Sequence, residues 1–213
     1  MTGFGGMEKK RRKEFKRNID QSSKEKIIKE AYRLHSEGNL SEAGKYYQTL
    51  IDNGCVDPGI YANYGAICQQ LKCIDKAISL YKESIKSFPK SSEAYVDLAN
   101  IFISKGNLNE AELYVRKFIG INQNNEIGYM MLGNILQDQG RIDESELFFR
   151  KATELNPQNS LAHLNFAKIL WVKGRLEESE RSYIKAIALN ENNARAHLDL
   201  GNIFWLQGKL QEA

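Results

Sequence analysis

Glycines recur through this chain at a fixed interval, and that interval constrains the fold more than any local motif. Gly106, Gly140, Gly174 and Gly208 succeed one another every 34 residues, and the same step backwards reaches Lys72 and then Gly38. Two further ladders keep the register: Ala43, Ala77, Ala111, Ser145, Ser179 and Ala213, and Ala31, Gly65, Ala99, Gly133, Ala167 and Gly201. A period of this size means that one small supersecondary unit is copied along the chain. Pro89 and Pro157 close two of the copies, and Cys55, Gln123 and Glu191 hold the corresponding place in three others.

The content of a copy is readable between Tyr129 and Pro157. Tyr129, Leu132, Gly133 and Leu136 fall at i, i+3, i+4 and i+7, one face of a helix. Gly140 supplies a residue tolerant of positive φ where the chain reverses, and Ile142, Ser145, Phe149 and Ala152 restart a helical stripe. Gly133 and Ser145 are small where the two helices cross, and Pro157 ends the second because it has no N–H to donate. Each copy is therefore expected to be an antiparallel helix pair. One pair cannot bury its own stripes, so neighbours stack, and the predicted fold is all-α, a right-handed superhelix of the α-solenoid type.

The wording of the copies, as in Tyr95, Leu98, Ala99, Phe102, Gly106 and Ala111, resembles the tetratricopeptide repeat (TPR) motif. The resemblance runs from Lys24 to Ala213 as five units (24–57, 58–91, 92–125, 126–159, 160–193) and a partial sixth (194–213). Lys72 at a turn glycine and Glu30 at an apolar position depart from the pattern, and a side chain forced to positive φ costs roughly 1 kcal/mol.

In the TPR superhelix the first helices of the pairs line a concave groove, and what projects there decides function, since the fold alone fixes no ligand. Met130, Asn134 and Gln137 share one helix face, and the row Ile28, Ala62, Val96, Met130, Leu164 and Leu198 is wholly apolar. That row argues against the TPR adaptors that hold terminal carboxylates with cations. The next rows, Tyr32, Ala66, Asn100, Asn134, Lys168, Asn202 and Asn63, Asp97, Met131, Asn165, Asp199, are rich in asparagine. An amide both donates and accepts, so Asn63, Asn100, Asn134, Asn165 and Asn202, with Lys168, are candidate contacts to a peptide backbone. The same residues also suit a merely solvated helix face. The asparagine row and the wording His163-Leu-Asn-Phe and His197-Leu-Asp-Leu are similar to the TPR arm of O-GlcNAc transferase. Trp171 and Trp205 share one repeat position and read either as aromatic anchors or as helix packing. His163 and His197 occupy the large-residue position held elsewhere by Tyr61, Tyr95 and Tyr129, which reads as packing, not metal ligation.

Composition narrows the function classes. Thirty Lys and Arg against 27 Asp and Glu leave +3, and 42% hydrophobic residues exclude wholesale disorder. All the excess charge sits in an N-terminal arm, residues 1–23, with Lys9, Lys10, Arg11, Arg12, Lys13, Lys16 and Arg17. The arm is expected to be a solvated extension, with nucleic acid or anionic lipid as the lesser alternatives. No membrane helix or secretory signal is recognisable, so a cytoplasmic setting is expected. Cys55, Cys68 and Cys73 lack disulfide or zinc spacing. No cofactor motif, metal site or catalytic constellation is present, and carboxylates such as Glu177, Glu178 and Glu180 have Arg175, Arg181 and Lys185 for partners. The reading is a non-catalytic scaffold for a protein or peptide partner. The alternative is the recognition arm of a larger transferase, as in bacterial TPR proteins that continue into glycosyltransferase, sulfotransferase or methyltransferase domains. Because the sixth unit stops early, Leu200 and Phe204 are expected to lack cover, which makes end-to-end association plausible.

Overall fold

In the computed structural model, residues 20–55 and 57–208 are described. They form eleven helices: α1 (Gln21–Ser36), α2 (Leu40–Asp52), α3 (Pro58–Gln70), α4 (Ile74–Ser87), α5 (Glu93–Ser104), α6 (Leu108–Ile121), α7 (Glu126–Asp138), α8 (Ile142–Leu155), α9 (Ser160–Val172), α10 (Leu176–Leu189) and α11 (Ala194–Leu206). The described residues contain no strand. Odd-numbered helices are the first, or A, helices of the pairs, and even-numbered ones the B helices. The chain divides into two compact units, Met1–Leu98 and Ala99–Ala213, the division falling inside α5. In the first, α1 packs on α2, α2 on α3 and α3 on α4. In the second, α6 packs on α7, and each helix from α7 to α11 packs on the next. This is the all-α repeat architecture that the 34-residue period predicts.

Within each pair, A and B helices are joined by three-residue turns of one kind. Gly38, Gly106, Gly140 and Gly174 sit at φ between +71° and +77°. The following N–H reaches back five residues: Asn39 to the Leu34 carbonyl at 2.9 Å, Arg141 to Leu136 at 2.8 Å, Arg175 to Leu170 at 2.9 Å. These bonds satisfy carbonyls that the end of an α-helix leaves without partners. Lys72 holds the same turn at φ +62°, the sole non-glycine at positive φ among the described residues. Its turn closes identically, Cys73 N–H to Cys68 O at 2.7 Å. The A helices start on capping side chains in a ladder of their own: Asp57, Asn125, Asn159 and Asn193 accept N–H bonds from the first turns of α3, α7, α9 and α11. Asp20 caps α1, so that helix begins at Gln21, inside the segment assigned to the arm; the rest of the arm, residues 1–19, lies outside the described residues, as does Ala213 of the small-residue ladder.

The small residues are small because the B helix lies against them. A Cβ on Gly65 would stand 2.5 Å from the Tyr81 ring, and one on Gly133 2.8 Å from the Phe149 ring. Ser145 and Ser179 are fully buried, and their hydroxyls donate to the Gly133 and Ala167 carbonyls at 2.7 Å. The large-residue position of α5, α7, α9 and α11 ties each of these helices to the turn before it. Tyr95 and Tyr129 donate to the carbonyls of Pro89 and Gln123 at 3.0 Å, and the Nε2 of His163 and His197 reaches those of Pro157 and Glu191 at 3.1 and 3.0 Å. The imidazoles thus serve as tyrosine substitutes in a structural tie.

The last pair of the second unit departs from expectation. Leu200 and Phe204, read from the sequence as uncovered, are each 9% exposed. They pack with Leu164, Ala167, Tyr183, Ala186 and Ile203, because their face of α11 turns towards the preceding pair. Glu30, the other departure, meets Arg33 at 2.6 Å on the surface and takes no place in the core.

Candidate functional site

The described A helices of the second unit carry the candidate residues at one repeat position each. Asn100 on α5, Asn134 on α7 and Asn202 on α11 are exposed, and Lys168 on α9 is half-buried. Three residues further along α9 and α11 stand Trp171, half-buried, and Trp205, 66% exposed. Asn165, also on α9, is half-buried, as is Asn63 on α3 of the first unit. The first unit has Tyr32 and Ala66 at the positions of the polar row, and Tyr32 meets Tyr47 edge-on at 6.0 Å between ring centroids. The polar row therefore belongs to the second unit.

The apolar row does not line a groove throughout. Met130 and Leu164 are only 7% and 5% exposed. Met130 packs with Ala152 and Ala162, and Leu164 joins the cluster of α9, α10 and α11. These side chains are consumed by contacts between successive pairs, which explains their apolar character without any ligand. Leu198, the last of the row, is 60% exposed.

The aspartates that interrupt the asparagine row have a structural task. The Tyr183 hydroxyl donates to Asp199 at 3.3 Å, and Arg195 Nε reaches the same oxygen at 3.0 Å. In the first unit the Tyr81 hydroxyl accepts from Gln69 at 2.7 Å and pairs with Asp97. Burial raises the Asp97 pKa above the usual carboxylate value, against the opposing bond from Tyr81. Phe149 holds this position in α8, with no hydroxyl to give, and the residue sixteen further on is Asn165. In α2 it is Tyr47, whose buried hydroxyl has no partner and whose pKa burial pushes up to about 12.

Electrostatics concentrate between consecutive B helices of the second unit. Glu146, 6% exposed, receives Arg150 at 2.6 Å, Lys173 at 2.6 Å and Arg175 at 2.7 Å. Burial opposes ionisation, but the three cations prevail and hold its pKa down at about 2. One period earlier Glu112 takes Arg116 and Arg141, each at 2.7 Å. Arg141 and Arg175 also grip Glu144 and Glu178, at 2.6 Å in both cases. Each arginine thus clamps its own B helix to the previous one, with the two-pronged geometry that guanidinium offers to carboxylates. These residues form a ladder of their own with the 34-residue period. Glu178 with Arg175 forms the pairing expected from the sequence.

Three models of tetratricopeptide repeats match the chain, at residues 70–135, 128–159 and 172–208. The chain belongs to the tetratricopeptide repeat family. No curated protein matches its sequence. Among solved structures, it is similar to YrrB, described as a TPR protein with an unusual peptide-binding site, with 19% identity over 80% of this chain and 88% of that one and a TM-score of 0.67. It is also similar to MamA of Desulfovibrio magneticus RS-1 (15% identity, 80% of this chain and 97% of that one, TM-score 0.70). A TPR protein of Parabacteroides merdae ATCC 43184 shows 18% identity over 88% of this chain and 75% of that one, with a TM-score of 0.76. At these identities the likeness is one of fold. Among the described residues no helix is long and apolar enough to cross a membrane.

Proposed function

We propose that the chain is a non-catalytic interaction scaffold in a cytoplasmic setting, and that its second unit holds an extended peptide or partner helix against the A helices. The observation that carries this reading is the exposed row Asn100, Asn134 and Asn202, in register with Lys168 and flanked by Trp171 and Trp205. Amides pair with a peptide backbone whatever its sequence, and an indole anchors a partner through a large apolar contact with little entropy to lose. Asn165 and, in the first unit, Asn63 offer further amides beside this row. That the similar fold of YrrB carries a peptide-binding site supports the reading.

The test is affinity capture from the source cytoplasm with the unaltered protein beside the Trp171→Ala/Trp205→Ala variant, each checked for helicity. A partner held by the first and lost by the second, at unchanged helicity, is the expected result. A partner held equally by both would remove the row from consideration, and lost helicity would assign Trp171 to the core.

A further inference from the structure

The residues that make the clamp between B helices are missing from the first unit, where a cleft lies between α2 and α4. Two and three periods before Glu112 and Glu146 stands Gly44, and the same steps from Arg141 and Arg175 lead to Cys73. The position of the acids Glu144 and Glu178 is Lys76, and that of Lys173 is Leu71. Of the later network only Asp143 keeps its charge, as Asp75; Arg116 and Arg150 give way to Gln48, and the other members to small, apolar or oppositely charged residues. At this place in the first unit α2 and α4 border an open cleft of about 350 Å³. Tyr64, Cys68 and Leu71 line it from below. Burial raises the Cys68 pKa, so the thiol stays uncharged and the floor apolar. Lys45 and Lys76 are its only charged lining residues, and both are cations. Lys45 is paired with Glu42 at 2.5 Å, while the Lys76 ammonium lies over the Tyr64 ring, 4.7 Å from its centroid.

We propose that this cleft is a second docking site, which receives a partner peptide carrying a bulky apolar side chain next to an aspartate or glutamate. The apolar side chain packs on Leu71, 46% exposed, at the rim of the cleft above the buried Tyr64 and Cys68. The neighbouring carboxylate meets Lys76, whose surroundings hold an aromatic face and two thiols but no acid among the lining residues. An aromatic ring beneath an ammonium favours that cation's position without neutralising it, so its charge remains available to an anion. The site shares no residue with the A-helix row, and its failure leaves the proposed function untouched.

The test is a fluorescence-polarisation titration of the full chain with a labelled, end-blocked octapeptide containing Phe-Glu at its centre. Comparators carry Phe-Lys or Ala-Glu there. The Phe-Glu peptide is expected to bind, each comparator to bind about tenfold or more weakly, and bound peptide to slow alkylation of the exposed Cys73 by iodoacetamide. Gly44→Glu with Cys73→Arg restores the acid–arginine pair between the B helices, though not the second acid, and is expected to abolish binding, with the Tyr64 ring yielding slightly to the new Cβ 3.3 Å away. Lys76→Glu, a change at an exposed position, should weaken binding about tenfold and decides the matter if the double variant does not fold. Absence of Phe-Glu binding, equal binding of Phe-Lys, or undiminished binding by Lys76→Glu overturns the proposal.

Discussion

Ser145 lies twelve residues after Gly133, and its hydroxyl donates to that glycine's carbonyl at 2.7 Å in a fully buried crossing of α7 and α8. The bond explains why serine can stand for alanine in one ladder: the hydroxyl finds an acceptor already turned towards it. Ala111 holds the equivalent position and is also fully buried. Ala111→Ser is therefore expected to alter stability by no more than about 1 kcal/mol, because the Ala99 carbonyl stands where Gly133 does. Ala111→Glu is expected to cost about 3 kcal/mol or more, because it buries a charge without a partner. Urea unfolding of the two variants checks the pair, and equal midpoints would contradict the assigned register.

The strained turn offers a stabilising change. Lys72→Gly places the residue used by the other turns at the one position held at φ +62° by a side chain. A gain of about 0.5–1 kcal/mol is expected, the relief of strain being partly offset by the looser unfolded chain. Thermal unfolding followed by circular dichroism measures it, and a lower melting temperature would count against the strain.

Glu146 makes stability depend on acidity. Its pKa is about 2 in the folded chain against 4.5 for an unperturbed glutamate. The unfolded chain takes up the proton first as pH falls. The contribution is thus fully present above pH 4.5 and is lost towards pH 2, with a ceiling of about 3 kcal/mol at 1.36 kcal/mol per unit. Glu146→Gln should be less stable at pH 7 and should lose less stability between pH 5 and about pH 2, since the residue no longer titrates. Chemical unfolding across that range compares the slopes, and parallel profiles would show that the cations do not hold the carboxylate as described.

His163 gives the opposite end of the scale. Burial lowers its pKa from 6.5, aided by Lys185 and opposed by the bond to Pro157. Below pH 6.5 the unfolded chain gains the proton before the folded one, so stability declines as pH falls through that value until the folded imidazole is charged as well. His163→Tyr installs the residue that makes the same tie at Tyr95 and Tyr129. The variant is expected to keep the tie and lose this part of the pH dependence. Melting curves from pH 7.5 to 5 test it.

The helix pairs were legible from the sequence because glycine and the small residues recur at positions where geometry admits little else: a turn at positive φ, or a ring packed at van der Waals distance, as over Gly65 and Gly133. Roles shared between neighbouring pairs were harder to see. Asp199 reads as one more polar residue on a helix face until Tyr183, sixteen positions earlier and on another helix, is found to donate to it. Met130 likewise reads as groove lining, since a side chain that faces the next pair and one that faces a ligand have the same helical spacing. Asn134 remains on the exposed surface, and for such a residue the sequence supplies the position but not the occupant.

The ties that join one pair to another link residues close along the chain: sixteen apart for Tyr183 with Asp199, 29 for Arg175 with Glu146, 30 for Lys173 with Asp143. Loop closure over such distances costs little entropy, so pairs in each unit have no need to wait for a distant partner before they form. Length in such a chain is then a matter of copying. Excision of the period 126–159 from the second unit would keep the register and bring Glu112 to Arg175 in place of Glu146, whereas removing a single residue from a helix would displace every tie that spans it.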